Sequence, residues 1–171
     1  IRLASGQELE ADIVITATGL QLQVLGGTKL TLDGAPCKIN ERMTYKGVLL
    51  EGVPNMAWIF GYTNAPWTLK ADIAARYVCR LLNHLQATGL AVAQANDRGA
   101  NRQSHSMMGA LESGYIQRAN AVLPRQGAEL PWQVLNAYEV DSAMLLEEPI
   151  EDEILELEPH QRGNSTPSHG S

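Results

Sequence analysis

The sequence predicts an α/β fold, and three stretches predict it. Asp12-Ile13-Val14-Ile15-Thr16-Ala17 is a β-branched apolar run closed by Thr18-Gly19, the pattern of a strand covered on both faces. Met56-Ala57-Trp58-Ile59-Phe60 is a second short apolar run. From Pro66 to Gln86, Leu69, Ile73, Tyr77 and Leu81 recur with Ala74, Val78, Leu82 and Leu85 beside them, which makes one broad apolar helical face. A buried strand running through a polar turn into a helix N-terminus is a natural dock for an anionic or carbonyl-bearing cofactor.

Ile1 to Leu3 and Leu9 to Ala11 flank Ser5-Gly6-Gln7-Glu8 and predict a hairpin. Gly26-Gly27 and Asp33-Gly34 bracket a short strand over Lys29 to Leu32. Gly47 to Leu50 and Met56 to Phe60 read as two strands joined by a turn at Pro54-Asn55, where Pro presets φ and Asn tolerates turn geometry. Thr63 or Asn64 can cap the long helix, Pro66 suits its first turn, and Gly89 is its stop. Asp72 and Arg76 form an i,i+4 pair on its solvent side. Between Ala91 and Ser113 the pattern weakens, with a loop over Asn96 to Asn101. The stretch from Gly114 to Gly127 reads as compact but irregular. Pro131-Trp132 opens a helix to about Glu148, with Val134, Leu135, Tyr138 and Leu145 as its apolar positions. The polar end from Glu158 to Ser171 buries too little to order itself.

A chain of 171 residues and 44% apolar content can bury roughly two thirds of its unfolded surface in one domain. The net charge of −6, with Lys and Arg scattered, excludes a nucleic-acid footprint. Much of the acidity lies in Glu147 to Glu158, a solvated surface from which Ile150, Ile154, Leu155 and Leu157 dock onto the body. Cys37 and Cys79 are far apart without metal-type spacing, so a reduced, cytoplasmic protein is expected. No apolar run approaches the roughly 20 residues of a membrane span. The start, Ile1-Arg2-Leu3, reads as a strand under way, as if the chain began inside a domain.

Two stretches could carry chemistry. Thr18 and Gly19 place backbone N–H groups and a hydroxyl beside a nucleotide, or they form a tight strand end. Tyr62 to Thr68 offers donors, the Trp67 ring and a positive helix end, or it is an N-cap with a buried Trp. His84, His105, His160 and His169 lack ligand spacing. Ser104-His105-Ser106 stands without a Gly-x-Ser-x-Gly elbow, which excludes the hydrolase reading. Cys79, on the helix, reads as packed. No G-x-G-x-x-G follows a strand, so a nucleotide would be held mainly by residues outside this sequence.

Asp12 to Gly19, Met43-Thr44-Tyr45-Lys46-Gly47, Gly52-Val53-Pro54-Asn55 and Gly61-Tyr62-Thr63-Asn64-Ala65-Pro66-Trp67-Thr68-Leu69-Lys70-Ala71-Asp72 resemble the C-terminal third of flavin-dependent monooxygenases. The Baeyer–Villiger branch that includes the ethionamide-activating enzymes is the nearest in pattern, and Gly114 to Arg118, Leu123 to Gly127 and Pro131-Trp132 continue it. The resemblance implies a flavoprotein fold with two dinucleotide-binding domains, like glutathione reductase, incomplete in this chain. Residues 1–19 would end the NADPH segment, 20–90 complete the FAD-binding domain, 91–157 form a C-terminal loop and helix region, and 158–171 a disordered tail. It implies FAD and NADPH as cofactors, with Thr18, Gly19, Asn64, Trp67, Thr68 and Leu69 on the cofactor. It also implies a small-molecule substrate and O2, a ketone or a sulfur being oxygenated through a flavin peroxide. Both glycine fingerprints and an F-x-G-x-x-x-H stretch are missing, so no catalytic residue is carried over and the isolated chain is expected not to turn over. The competing readings are another FAD/NAD(P) oxidoreductase of the same architecture and a non-catalytic binding module.

Overall fold

The computed structural model describes residues 1–19, 21–98, 102–108 and 118–160, without side-chain detail at 102–105. It is a mixed α/β structure built on one long helix, α1, Trp67–Thr88. Ahead of α1 come β1 (Leu30–Leu32) and β2 (Ala35–Cys37), then β3 (Thr44–Tyr45) and β4 (Leu49–Leu50). After it come β5 (Leu90–Ala95), β6 (Arg102–Ser106), β7 (Arg125–Gly127), the short α2 (Tyr138–Ser142) and β8 (Leu155–Pro159).

All the strand pairs among the described residues are antiparallel and two-stranded: β1 with β2, β3 with β4, β5 with β8 and β6 with β7. The described residues thus contain no parallel sheet of the dinucleotide-binding kind. Asp12 to Ala17 is the main departure from the sequence reading. It forms no strand and is unpaired, with Ile13 81% and Ile15 87% exposed rather than covered on both faces. Its composition is that of a central strand, and the strands that would cover it are not among the described elements.

α1 forms where its periodicity places it. Ile73, Ala74, Tyr77, Leu81 and Leu85 are buried against Tyr45, Val48, Leu49, Ala93 and Ala95, with Trp132, Leu145 and Leu155 closing the same core. Burying each leucine contributes about 1.5–3 kcal/mol. Gly89 ends α1 in the left-handed region (φ 69°), donating its N–H to Leu85. The expected cap differs: neither Thr63 nor Asn64 caps α1, and Pro66 is the flanking residue. Asp72 and Arg76 do pair, at 3.9 Å.

The 1–11 hairpin survives as one bridge, Arg2 to Glu8, and β1 as expected. Met56 to Phe60 is held by a single bridge, Leu49 to Ala57, and not by a full strand.

β5 is a strand that sequence patterning missed, because Ala91, Ala93 and Ala95 are poor strand formers by propensity. It is made by partners distant in sequence. β8 pairs Leu155 with Ala95 and Leu157 with Ala93. On the other edge Asn55 accepts from Ala93 N–H at 2.9 Å and donates to Ala91 at 3.0 Å. β8 also takes in Glu158 and Pro159, so the expected tail begins too early; residues 161–171 lie outside the described set.

The helix expected from Pro131 starts only at Tyr138 and ends at Glu147 in a wider turn, Ala143–Glu147. Tertiary bonds use the earlier backbone: Pro131 accepts from Lys46 N–H at 2.7 Å, and Val134 N–H donates to the Gln126 side chain at 3.1 Å. Trp132 is buried edge-on to Tyr45, ring centroids 5.7 Å apart. The expected loop over 96–101 and the stretch from Gly114 lie partly outside the described residues.

Candidate functional site

The polar turn after Phe60 leads straight into the start of α1. Tyr62 is buried, Thr63 half-buried, and Asn64, Trp67, Thr68 and Leu69 are exposed. Trp67 is 50% exposed, so the bland alternative of a buried Trp does not hold. With no side-chain cap, the N–H groups of Trp67 and Thr68 find no acceptor among the described residues. Those free donors and the positive end of a 22-residue helix favour an electron-rich or anionic group.

Four of the six residues expected at a cofactor thus come together at one helix end. Thr18 and Gly19 do not join them through any hydrogen bond among the described residues. They lie in the exposed, unpaired N-terminal segment, Gly19 at φ 80°.

Behind the helix start lies a cluster that sequence reasoning missed. Lys70 Nζ pairs with Asp141 Oδ1 at 2.9 Å, the two side chains 5% and 4% exposed. The Lys70 ammonium also sits 5.7 Å from the centroid of the Tyr62 ring. Burial pulls the Lys70 amine below the usual lysine range, and Asp141 opposes that pull. Burial pushes the Tyr62 hydroxyl above the usual tyrosine range, and the carboxylate of Asp141 adds to the push. Asp141 Oδ2 and the Tyr62 hydroxyl make no hydrogen bond of good geometry. Asn64 Nδ2 donates to the Asn136 carbonyl at 3.1 Å, so the segment 136–141 grips the turn and the helix start together. A signal was present: Lys70 lies three residues before Ile73 and four before Ala74, a charge on the apolar stripe.

A second buried cation, Lys46, pairs with Glu148 at 3.1 Å and faces the rings of Tyr45 and Tyr77 at 5.5 and 5.9 Å. It borders a cavity of about 390 Å³ lined also by Met144, Asp152 and Ile154. Tyr45 donates its hydroxyl hydrogen to Asp152. Cys79, expected to be packed, is exposed, while Cys37 is buried. It sits on α1 between Val78 and Arg80, turned off the Ile73–Tyr77–Leu81 stripe. No described helix is long and apolar enough to cross a membrane.

FAD-containing monooxygenase MymA of Mycobacterium tuberculosis is 54% identical over 151 residues, 88% of this chain and 30% of its own length. The chain is homologous to a segment of the FAD-containing monooxygenases. FAD-binding monooxygenase AlmA of an Acinetobacter species is 47% identical over 166 residues, 97% of this chain and 33% of its own. FAD-containing monooxygenase EthA of Mycolicibacterium smegmatis is 42% identical over 168 residues, 98% and 34%. The chain therefore spans about a third of the length of these curated relatives. They are oxidoreductases by name. No family model and no solved structure matches the chain.

The residues at the helix start fit one part of FAD. Free N–H groups, a half-exposed indole and a positive helix end suit an electron-rich ring system. The described residues offer no glycine-rich cradle for a pyrophosphate. The fit is to the ring end of the cofactor alone.

Proposed function

We propose that this chain is the C-terminal third of an FAD- and NADPH-dependent monooxygenase that places one oxygen atom of O2 on a ketone or a sulfur of a small substrate. The observation that carries the reading is the uncapped start of α1, in a chain 42–54% identical to FAD-containing monooxygenases. Reduced by NADPH, bound FAD would supply the two electrons that divide O2 between the substrate and water.

The chain's own residues bind and orient. The N–H groups of Trp67 and Thr68 face the ring system, where the helix dipole favours the electron-rich reduced form. Asn64 is fixed by Asn136, and the buried Lys70–Asp141 pair holds the helix start against α2. Trp67 and Leu69 present apolar surface that excludes water from the ring. Thr18 and Gly19 reach the cofactor once Asp12 to Ala17 is paired into a sheet supplied by the rest of a longer chain. The exposure of Ile13 and Ile15 supports that pairing, because a run of this kind is stable only when covered.

The test is a chimera in which these residues replace the matching segment of a full-length relative. A yellow protein that oxidises NADPH with O2 and oxygenates a ketone or thioether is the expected result. The 171 residues alone are expected to give no NADPH oxidation. A soluble, folded but colourless chimera overturns the reading.

A further inference from the structure

Gly61 is buried and lies outside the left-handed region, so its backbone conformation does not demand glycine. Space does. A Cβ built at Gly61 would overlap Cδ2 and Cγ of Trp67 and lie 2.5 Å from Cε3. These are central atoms of a rigid ring, not the tip of a flexible chain, so any side chain at position 61 forces the indole elsewhere.

The other side of the ring's seat is equally specific. Phe60 meets Trp67 at 4.7 Å between centroids, tilted by 59°. Trp58 stacks on Phe60 at 6.0 Å, only 10° from parallel. Trp58 and Phe60 are themselves fixed in a second core with Met107, Met108, Ala119 and Leu123. Trp67 is therefore seated on a backbone surface and an anchored aromatic pair, yet half of it remains open to solvent. An indole fixed on one side and open on the other is a preformed stacking surface for a planar ring.

We propose that Gly61 is a positioning residue whose missing side chain sets the Trp67 indole as a stacking wall for the isoalloxazine ring. This rests on the flavin reading above and adds to it the residue that sets the geometry of the wall. Glycine here is a steric requirement of its partner, so positions 61 and 67 are coupled.

Two measurements test it. In the 171-residue chain, Gly61→Ala is expected to lower Tm by about 5 °C, and by less than about half of that in a Trp67→Ala background. If Gly61→Ala alone fails to fold, recovery of folding in the double variant is the same coupling. Equal losses in both backgrounds, or no loss in either, overturn the positioning role. In the chimera, the bound flavin is expected to be quenched by the indole. Gly61→Ala and Trp67→Phe are each expected to raise the fluorescence per bound flavin, which a purely structural role would not do. A yellow chimera whose fluorescence neither variant moves overturns the stacking wall and leaves the flavin reading standing. A colourless parent chimera overturns the flavin reading and the stacked ring with it, and the 61–67 coupling is then decided by melting alone.

Discussion

Removing Asp141 leaves the Lys70 ammonium buried without a counter-charge. The two side chains are 5% and 4% exposed and 2.9 Å apart, so solvent screens them little. Breaking such a pair costs about 3–5 kcal/mol. The cost has a ceiling, because Lys70 can shed its proton instead. Neutralising a lysine of ordinary pKa takes about 5 kcal/mol at pH 7 and about 3 kcal/mol at pH 8. Lys70 already lies below that ordinary value because of burial, and losing Asp141 lowers it further. A lysine depressed in the folded state binds its proton more tightly when unfolded, so stability rises with pH up to the unfolded value. Asp141→Ala is therefore expected to lose about 3–5 kcal/mol at pH 7, and the deficit to shrink towards pH 9 by at most about 1.4 kcal/mol per pH unit, the slope of one proton. The double variant Lys70→Met/Asp141→Leu removes both charges and is expected to lie within about 1 kcal/mol of the parent. Urea unfolding followed by circular dichroism at pH 7, 8 and 9 reads all three chains. A single variant within about 1 kcal/mol of the parent at pH 7 would refute the argument. So would a deficit independent of pH together with a double variant as unstable as the single one.

Three more predictions follow from burial and exposure. Burial raises the hydroxyls of Tyr45 and Tyr77 above the tyrosine range, so their stabilising contribution is complete below about pH 10 and lost above it, by at most about 1.4 kcal/mol per pH unit for each ring. Urea midpoints between about pH 10 and 11.5 are expected to fall less steeply in Tyr45→Phe, and an unchanged slope contradicts the assignment. Cys79 is exposed and Cys37 buried, so one thiol is expected to react quickly with a colorimetric thiol reagent and the other only after denaturant; two fast thiols would contradict the packing. Ile13 and Ile15 touch no core, so Ile13→Ser/Ile15→Ser is expected to leave the Tm of the isolated chain unchanged while reducing its aggregation in light scattering. In the chimera the same pair is expected to abolish flavin retention, and retention at the parent level would mean that this run is not a buried strand.

What could be read from the sequence was local. The residues of α1 carry their own period, their proline entry and their glycine stop, so the helix and its stripe were legible without a partner. The hairpin at Ser5-Gly6 and the turn at Asp33-Gly34 were legible for the same reason, because turn chemistry lies in adjacent residues. The resemblance in Gly61 to Asp72 was equally local, and it pointed to the family that the relatives then bore out. Tertiary structure decided what depends on distant partners. β5 exists because β8, some 60 residues later, offers a matching edge, and alanines alone do not specify a strand. The Pro131 helix fails to start because Lys46 and Gln126 engage the backbone it would need. Lys70 was legible as a charge on an apolar stripe, but its partner on α2 became visible only in three dimensions. Periodicity records which face a residue presents, whereas pairing between distant segments depends on long-range closure that no local window contains.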